Sequence, residues 1–191
     1  MLRDRARYII FQPARAWDTI RKEDRSVRTV QGSFLIPVLI MISLSAFVGS
    51  LIYNPSGLSI LFPVIRALKQ FLCFYLTVLL SSLTLNEISL AFVRSKDYSF
   101  NFKLVTYSFT PLFITVIITR FLPDLALLNL LSLYGAYIIY TGLNTIENIS
   151  RRAFLRYFIV ALLIVIVFYL ALSWLIRSLL EGIYFAFAGS V

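Results

Sequence analysis

Residues 157–176 read YFIVALLIVIVFYLALSWLI. The stretch is nearly pure Leu, Ile, Val and aromatic, and it matches the roughly 20 residues that cross about 30 Å of hydrocarbon at about 1.5 Å per residue. Four more apolar runs precede it, Phe34–Tyr53, Ala67–Val93, Leu104–Leu122 and Leu125–Leu143. The turn signal Asn54-Pro55-Ser56-Gly57 ends the first run, and Pro111 lies inside the third. A weaker stretch, Ile183–Ala188, is too short to cross. Of the 191 residues, 60% are hydrophobic, more than a soluble domain of that size can bury. The expected fold is all-α: a polytopic membrane protein with a bundle of five transmembrane helices preceded by a cytoplasmic amphipathic helix. Residues 1–33 form the cytoplasmic N-terminal segment and 34–191 the spanning domain. No cleavable signal peptide is visible, because the first long apolar run starts only near Phe34, after a charged segment.

Charge sets the orientation. The formal net charge is +9, carried by the segments between apolar runs, so anionic headgroups are the expected partner and nucleic acid is not. Arg3, Arg5, Arg7, Arg15, Arg21, Lys22, Arg25 and Arg28 precede the first span; Arg94, Lys96 and Lys103 follow the second; Arg151, Arg152 and Arg156 follow the fourth. Five crossings put all of these on one side. Only Arg66, Lys69, Arg120 and Arg177 fall on the other. Basic residues concentrate on the cytoplasmic side. The N-terminus is therefore expected in the cytoplasm, the C-terminus across the membrane, and the protein in the cytoplasmic (inner) membrane.

The sequence excludes much chemistry. There is no histidine, hence no Ser-His-Asp or Cys-His arrangement and none of the commonest metal ligand. Cys73 is the one cysteine, so no intrachain disulfide can form. No Walker loop, HExxH, GxSxG or dinucleotide fingerprint occurs. An enzyme and a cofactor are not expected.

Three stretches carry a family resemblance. Pro13-Ala14-Arg15-Ala16-Trp17-Asp18-Thr19-Ile20, with Glu23 beyond it, stands just before the first span. Tyr107-Ser108-Phe109-Thr110-Pro111 opens the third, which Pro123 ends. Tyr134-Gly135-Ala136-Tyr137, followed by Gly142, lies in the fourth. In this order and spacing the chain resembles the Yip family, the Ypt/Rab-interacting membrane proteins, and within it the short bacterial branch. The resemblance implies a five-helix fold with a cytosolic N-terminus. Eukaryotic members act in vesicle traffic and bind Rab-type GTPases. This chain departs from them: it lacks their long N-terminal region and the acidic, Tyr-Gly-Pro-containing motif before the first span, so a Rab-type GTPase is not expected as its partner.

Several local patterns suggest working parts. Pro13 to Arg28 reads as an amphipathic helix, with Pro well placed at its first position. Pro13, Ala16, Trp17, Ile20 and Val27 share one face; Arg15, Asp18, Arg21, Lys22 and Arg25 share the other; Asp24 interrupts the apolar stripe. Such a helix would lie in the headgroup region with Pro13, Trp17 and Ile20 at the membrane interface; the alternative is a solvated linker. In the fourth span Asn129, Ser132, Tyr140, Asn144 and Glu147 fall in one arc, expected to turn inward as hydrogen-bonding glue or as the wall of a polar cavity. Gly135 and Gly142, on the back, would admit a close helix. In the third, Thr106, Tyr107 and Thr110 surround Pro111, which frees the Tyr107 carbonyl and invites a kink.

Glu87 is the one carboxylate well inside a span. It is either ion-paired with Arg94, Arg151 or Arg152, or part of a cation site with Glu147, Asn144 and, if the N-terminal helix folds back, Glu23; no ligand-spacing motif supports a metal. The preferred reading is a membrane-organising protein working through protein and lipid contacts, including other membrane proteins or a second copy. Its surface would be the amphipathic helix and a basic cytoplasmic face of Arg21, Lys22, Arg25, Arg28, Arg94, Lys96, Arg151 and Arg152. The alternative is a transporter or channel component using the polar stripe and Glu87.

The five-span orientation makes a direct prediction. In a Cys73→Ser background, cysteines placed at Arg25, Lys96 and Arg151 should react with impermeant reagent only from the cytoplasm, and those at Ser56 and Gly189 only from the other side. Labelling of Gly189→Cys from the cytoplasm alone would rule out five crossings.

Overall fold

The structure is a computed structural model that describes residues 2–23, 25–53, 60–93, 96–146 and 150–188. Helices account for nearly all of them: α1 (Leu2–Phe11), α2 (Pro13–Lys22), α3 (Val27–Val30), α4 (Ile36–Ile52), α5 (Leu61–Val93), α6 (Tyr98–Ser108), α7 (Thr110–Phe121), α8 (Tyr134–Leu143) and α9 (Arg151–Ala188). A π-helical turn, Gln31–Leu35, joins α3 to α4, and a 3₁₀ segment, Pro123–Leu133, leads into α8. Five helical stretches are long and apolar enough to cross a membrane: Val27–Ile52, Leu61–Val93, Tyr98–Phe121, Pro123–Leu143 and Arg151–Leu180. The turn expected at Asn54-Pro55-Ser56-Gly57 lies outside the described residues.

The helices outrun the apolar runs. α5 begins at Leu61 rather than Ala67, the third span begins at Tyr98 rather than Leu104, and α9 continues through the stretch Ile183–Ala188. Hydropathy falls at the first charged residue, whereas the backbone ladder continues until a cap or a proline stops it. Caps explain two starts. The Asp97 side chain accepts from the Phe100 N–H (2.8 Å) at the head of α6, and Ser150 Oγ accepts from the Ala153 N–H (3.3 Å) at the head of α9. Proline explains two irregularities. Pro37 can give no N–H to the Ser33 carbonyl, and the π turn sits there; Pro111 can give none to Tyr107, and the third span breaks between α6 and α7 at Phe109. α1 has no counterpart among the sequence expectations, which left residues before Pro13 without structure.

Burial is inverted relative to a soluble protein. Large apolar side chains such as Leu44, Leu127, Leu163, Val167 and Trp174 point outward, while Ser45, Thr77, Ser82, Ser108 and Thr115 are buried. Each of these five hydroxyls donates to a carbonyl of its own helix, for example Thr77 to Cys73 (2.7 Å) and Ser108 to Val105 (2.8 Å), so none of the five is stranded and the helices approach closely. The third span is the hub: 72% of its most apolar stretch is buried, against 11% for the fifth. Phe74 of α5 meets Phe109 and Phe113 edge-on and stacks on Tyr169 of α9. One apolar core joins the spans to the N-terminal helices, for Ile9, Ala16, Trp17, Ile20 and Val30 belong to the same cluster as Phe34, Phe74, Tyr107 and Ile138.

α4 and α7 touch at Gly49, where an added Cβ would run into the Arg120 backbone carbonyl, which cannot move independently of its helix. Gly49→Ala should therefore lower stability by about 1–3 kcal/mol, an overpacking cost. Gly32→Ala, with nothing within 4 Å of the added carbon, should stay within about 0.5 kcal/mol. Thermal unfolding of the purified protein in detergent measures both.

Candidate functional site

The most elaborated local arrangement is the seat of α2. Its apolar face holds the predicted periodicity: Pro13, Ala16, Trp17 and Ile20 are buried, whereas Ala14, Arg15, Asp18, Arg21 and Lys22 are exposed. The destination of that face differs from the expectation of an interfacial anchor. Trp17 is 0% exposed, and its ring is spent on protein. Nε1–H donates to the Ile138 carbonyl of α8 (3.0 Å), and the indole lies 6.1 Å from Phe100 and, edge-on, 6.1 Å from Tyr107 of α6. Gly142 makes room for it: a Cβ there would come within 2.8 Å of Trp17 Cε2 and 2.5 Å of Leu104 Cδ1. α1 is fastened to the same helix, the Tyr134 hydroxyl donating to the Ile10 carbonyl (2.9 Å). An amphipathic face only reports that something apolar covers it, and here the cover is α6 and α8 rather than lipid.

The helix is also shorter than expected. It stops at Lys22; Asp24 lies outside the described residues, Ser26 caps α3, and Val27 begins the first span. The link between α2 and α3 is tied to α6. Lys103 Nζ donates to the Glu23 carbonyl (3.2 Å), Ser99 Oγ donates to the Arg25 carbonyl (3.3 Å), and the Arg25 and Glu23 side chains form an ion pair at 3.1 Å. Beneath it the Tyr157 hydroxyl of α9 donates to Asn101 Oδ1 (3.0 Å). Arg15, Arg21, Lys22, Arg28, Arg151 and Arg152 are exposed at this end of the bundle, Arg25 is half-buried, and Lys103 is buried. Arg94 lies outside the described residues.

Glu87 is placed differently from either expectation. Its carboxylate is ion-paired with Lys96 rather than with Arg94, Arg151 or Arg152, and both side chains are exposed, at 66% and 41%. Lys96 lies nine positions on, past the end of α5, and its ammonium reaches the Glu87 carboxylate. Glu23 is engaged with Arg25, Asn144 is exposed at the end of α8, and Glu147 lies outside the described residues. Among the described residues no three His, Cys, Asp or Glu gather to hold a metal.

The polar arc of the fourth span does not turn inward. Asn129, Tyr140 and Asn144 are exposed and Ser132 is half-buried, while Gly135, Ile138, Ile139, Thr141, Gly142 and Leu143 face the bundle. No residue of the 3₁₀ segment Pro123–Leu133 is buried, and in α8 the bundle-facing side is the one carrying Gly135, Ile138 and Gly142, which leaves the arc outside. Gly135 lies against the Ser108 carbonyl, 2.5 Å from where its Cβ would stand. Beside Pro111, Thr106 and Thr110 are buried, and their Oγ1 atoms have no hydrogen-bond partner.

Comparison with known families gives one result. The family model described as the Yip1 domain matches residues 7–175. The chain belongs to the Yip1 family. Curated proteins and solved structures gave no match. The Yip1 match begins at residue 7, so α2 and Trp17 lie inside the family's domain rather than ahead of it. What sequence reasoning missed in this Yip1 domain are the groups that receive α2: the Ile138 carbonyl, Phe100, and the Ser99 and Lys103 side chains. Backbone carbonyls leave no mark in a sequence. Lys103, a charge that opens a predicted apolar run, was the available signal.

The seat can be read with Trp17 as its own probe. In a Trp174→Phe background, which removes the tryptophan that is 71% exposed, Trp17 emission should be blue-shifted and insensitive to both aqueous quencher and brominated lipid. Quenching by brominated lipid would return Trp17 to the interface. Trp17→Ala should cost about 3–5 kcal/mol as a core aromatic truncation. Trp17→Phe should cost about 1 kcal/mol, since the Ile138 carbonyl keeps the Thr141 hydroxyl (3.0 Å) as a donor.

Proposed function

We propose that this Yip1-domain protein is a non-catalytic organiser of its membrane, acting through the end of the bundle that carries α2. The observation that carries the reading is the division of α2 itself. One face is locked into the core through Trp17, and the other presents Arg15, Arg21 and Lys22 beside Arg28, Arg151 and Arg152. A helix held this firmly displays its charges at fixed positions, the property needed to engage anionic headgroups or the acidic surface of a membrane protein or second copy. In this reading residues 1–33 form a cytoplasmic collar on the spanning domain of residues 34–191, in a bacterial inner membrane with the N-terminus inside. The partner is not a Rab-type GTPase, because the segment before the first span is basic where the Rab-binding relatives carry an acidic motif. The exposed pairing of Glu87 with Lys96 counts against a cation path through Glu87.

Two measurements test this. A photo-crosslinking residue at Arg15 or Lys22 should capture anionic lipid or one discrete membrane protein in native membranes. Arg21→Gln with Lys22→Gln should weaken retention of anionic lipid by about fivefold per charge, near 1 kcal/mol each. In sealed vesicles the purified protein should add no proton or divalent-cation flux, and Glu87→Gln should leave its melting temperature unresponsive to Mg²⁺, as in the parent. A protein-dependent flux abolished by Glu87→Gln would overturn the organiser reading in favour of transport.

A further inference from the structure

Among the described residues, the end of the bundle remote from α2 carries four lysines and arginines, and all four meet in one cavity. Arg66 and Lys69 come from α5, Arg120 from the end of α7 and Arg177 from α9; together with Gln70 and Ser50 they line a space of about 270 Å³. Cations that serve only to mark a membrane boundary have no reason to converge, since snorkelling side chains reach the headgroups separately and like charges repel. This end is also the one where the positive-inside rule leaves basic residues scarce.

The pocket has a built floor. Gln70 is 8% exposed, and its Oε1 accepts from Arg120 Nη2 (3.1 Å). A guanidinium can only donate, so this bond fixes the amide's orientation and leaves the Gln70 NH₂ as its donor group. Arg120 is held in place by its backbone: its carbonyl abuts Gly49 of α4, and the next carbonyl, of Phe121, accepts from the Tyr53 hydroxyl (2.7 Å). The Arg66 guanidinium is steered by the Phe62 ring, 4.7 Å from its centroid. Among the described residues the lining includes no Asp or Glu. The planar guanidiniums of Arg66 and Arg120 beside the Gln70 amide donor suit a tetrahedral oxyanion, which accepts several charge-assisted bonds at once.

We propose that this cavity is a binding site for a phosphate group, with Arg66, Arg120 and Gln70 as its principal donors. The phosphate belongs either to the headgroup of an anionic lipid in the adjacent leaflet or to a free phosphate ion, and the experiment separates the two. Delipidated full-length protein in neutral detergent is melted with sodium phosphate against sodium chloride at equal ionic strength. It is melted in parallel with phosphatidylglycerol against phosphatidylcholine, and native mass spectrometry counts the lipid retained. The expected result is a saturable rise in melting temperature, with apparent affinity reduced about tenfold in Arg66→Gln and in Arg120→Gln, the worth of one charge-assisted hydrogen bond. Arg156→Gln, an exposed arginine outside both charged clusters, should keep the parent affinity. A response to phosphatidylglycerol alone identifies the lipid headgroup; a response to both identifies free phosphate as sufficient. Arg66 is exposed and stands among like charges, so Arg66→Gln should melt no lower than the parent without ligand and keeps the test clear of misfolding. No rise with either probe, or the same affinity in Arg66→Gln as in the parent, would overturn the proposal.

Discussion

Enclosure of the third span is the constraint on which the rest of this structure depends. A helix that touches lipid can carry any large apolar side chain outward, as α9 does, but one surrounded by protein must fit its neighbours on every side. α6 and α7 meet α2 through Trp17 and Tyr107, α4 at Gly49, α5 through Phe74, α8 at Gly135 and Gly142, and α9 through the Asn101–Tyr157 hydrogen bond. The break at Phe109 is tolerated because protein, not hydrocarbon, surrounds it. Without a hydrophobic driving force between helices in lipid, close approach and hydroxyls bonded to their own carbonyls leave packing to hold the bundle together.

That constraint also explains the N-terminal helices. α6 and α8 leave a gap opposite Gly142, and the indole of Trp17 fills it. A single hydrogen bond to Ile138 supplies direction, and the apolar face of α2 supplies the area. The family match, running from residue 7 to 175, treats helices and spans as one unit, as the shared core does.

The sequence made the spans legible because bilayer thickness imposes a length that hydropathy can count. It made the buried face of α2 legible too, since Pro13, Ala16, Trp17 and Ile20 follow helical spacing. It could not say whether lipid or protein covers that face, because both are apolar. The inward turn assigned to Asn129 and Tyr140 failed for a different reason: helical spacing groups side chains on a face, but the small residues Gly135 and Gly142 on the other side are what the neighbouring helices pack against. Glu87 was recognisable as a carboxylate needing a partner, but that partner, Lys96, stands beyond the end of α5, where spacing along a helix has no reach. The convergence of Arg66, Lys69, Arg120 and Arg177 was hidden likewise, since charge counting by side says nothing about whether the charges meet.

The seat of Trp17 has a consequence for biogenesis. Its hydrogen-bond acceptor stands 121 positions later in the chain. The ribosome delivers α2 before any of the spans, yet the groups that receive it are complete only once the fourth span has emerged. During that interval the apolar face of α2 and the indole of Trp17 lack the protein that covers them in the finished fold. α2 thus precedes every span in the chain yet reaches its final place only after the fourth has formed, so its docking depends on assembly of the spans that follow it.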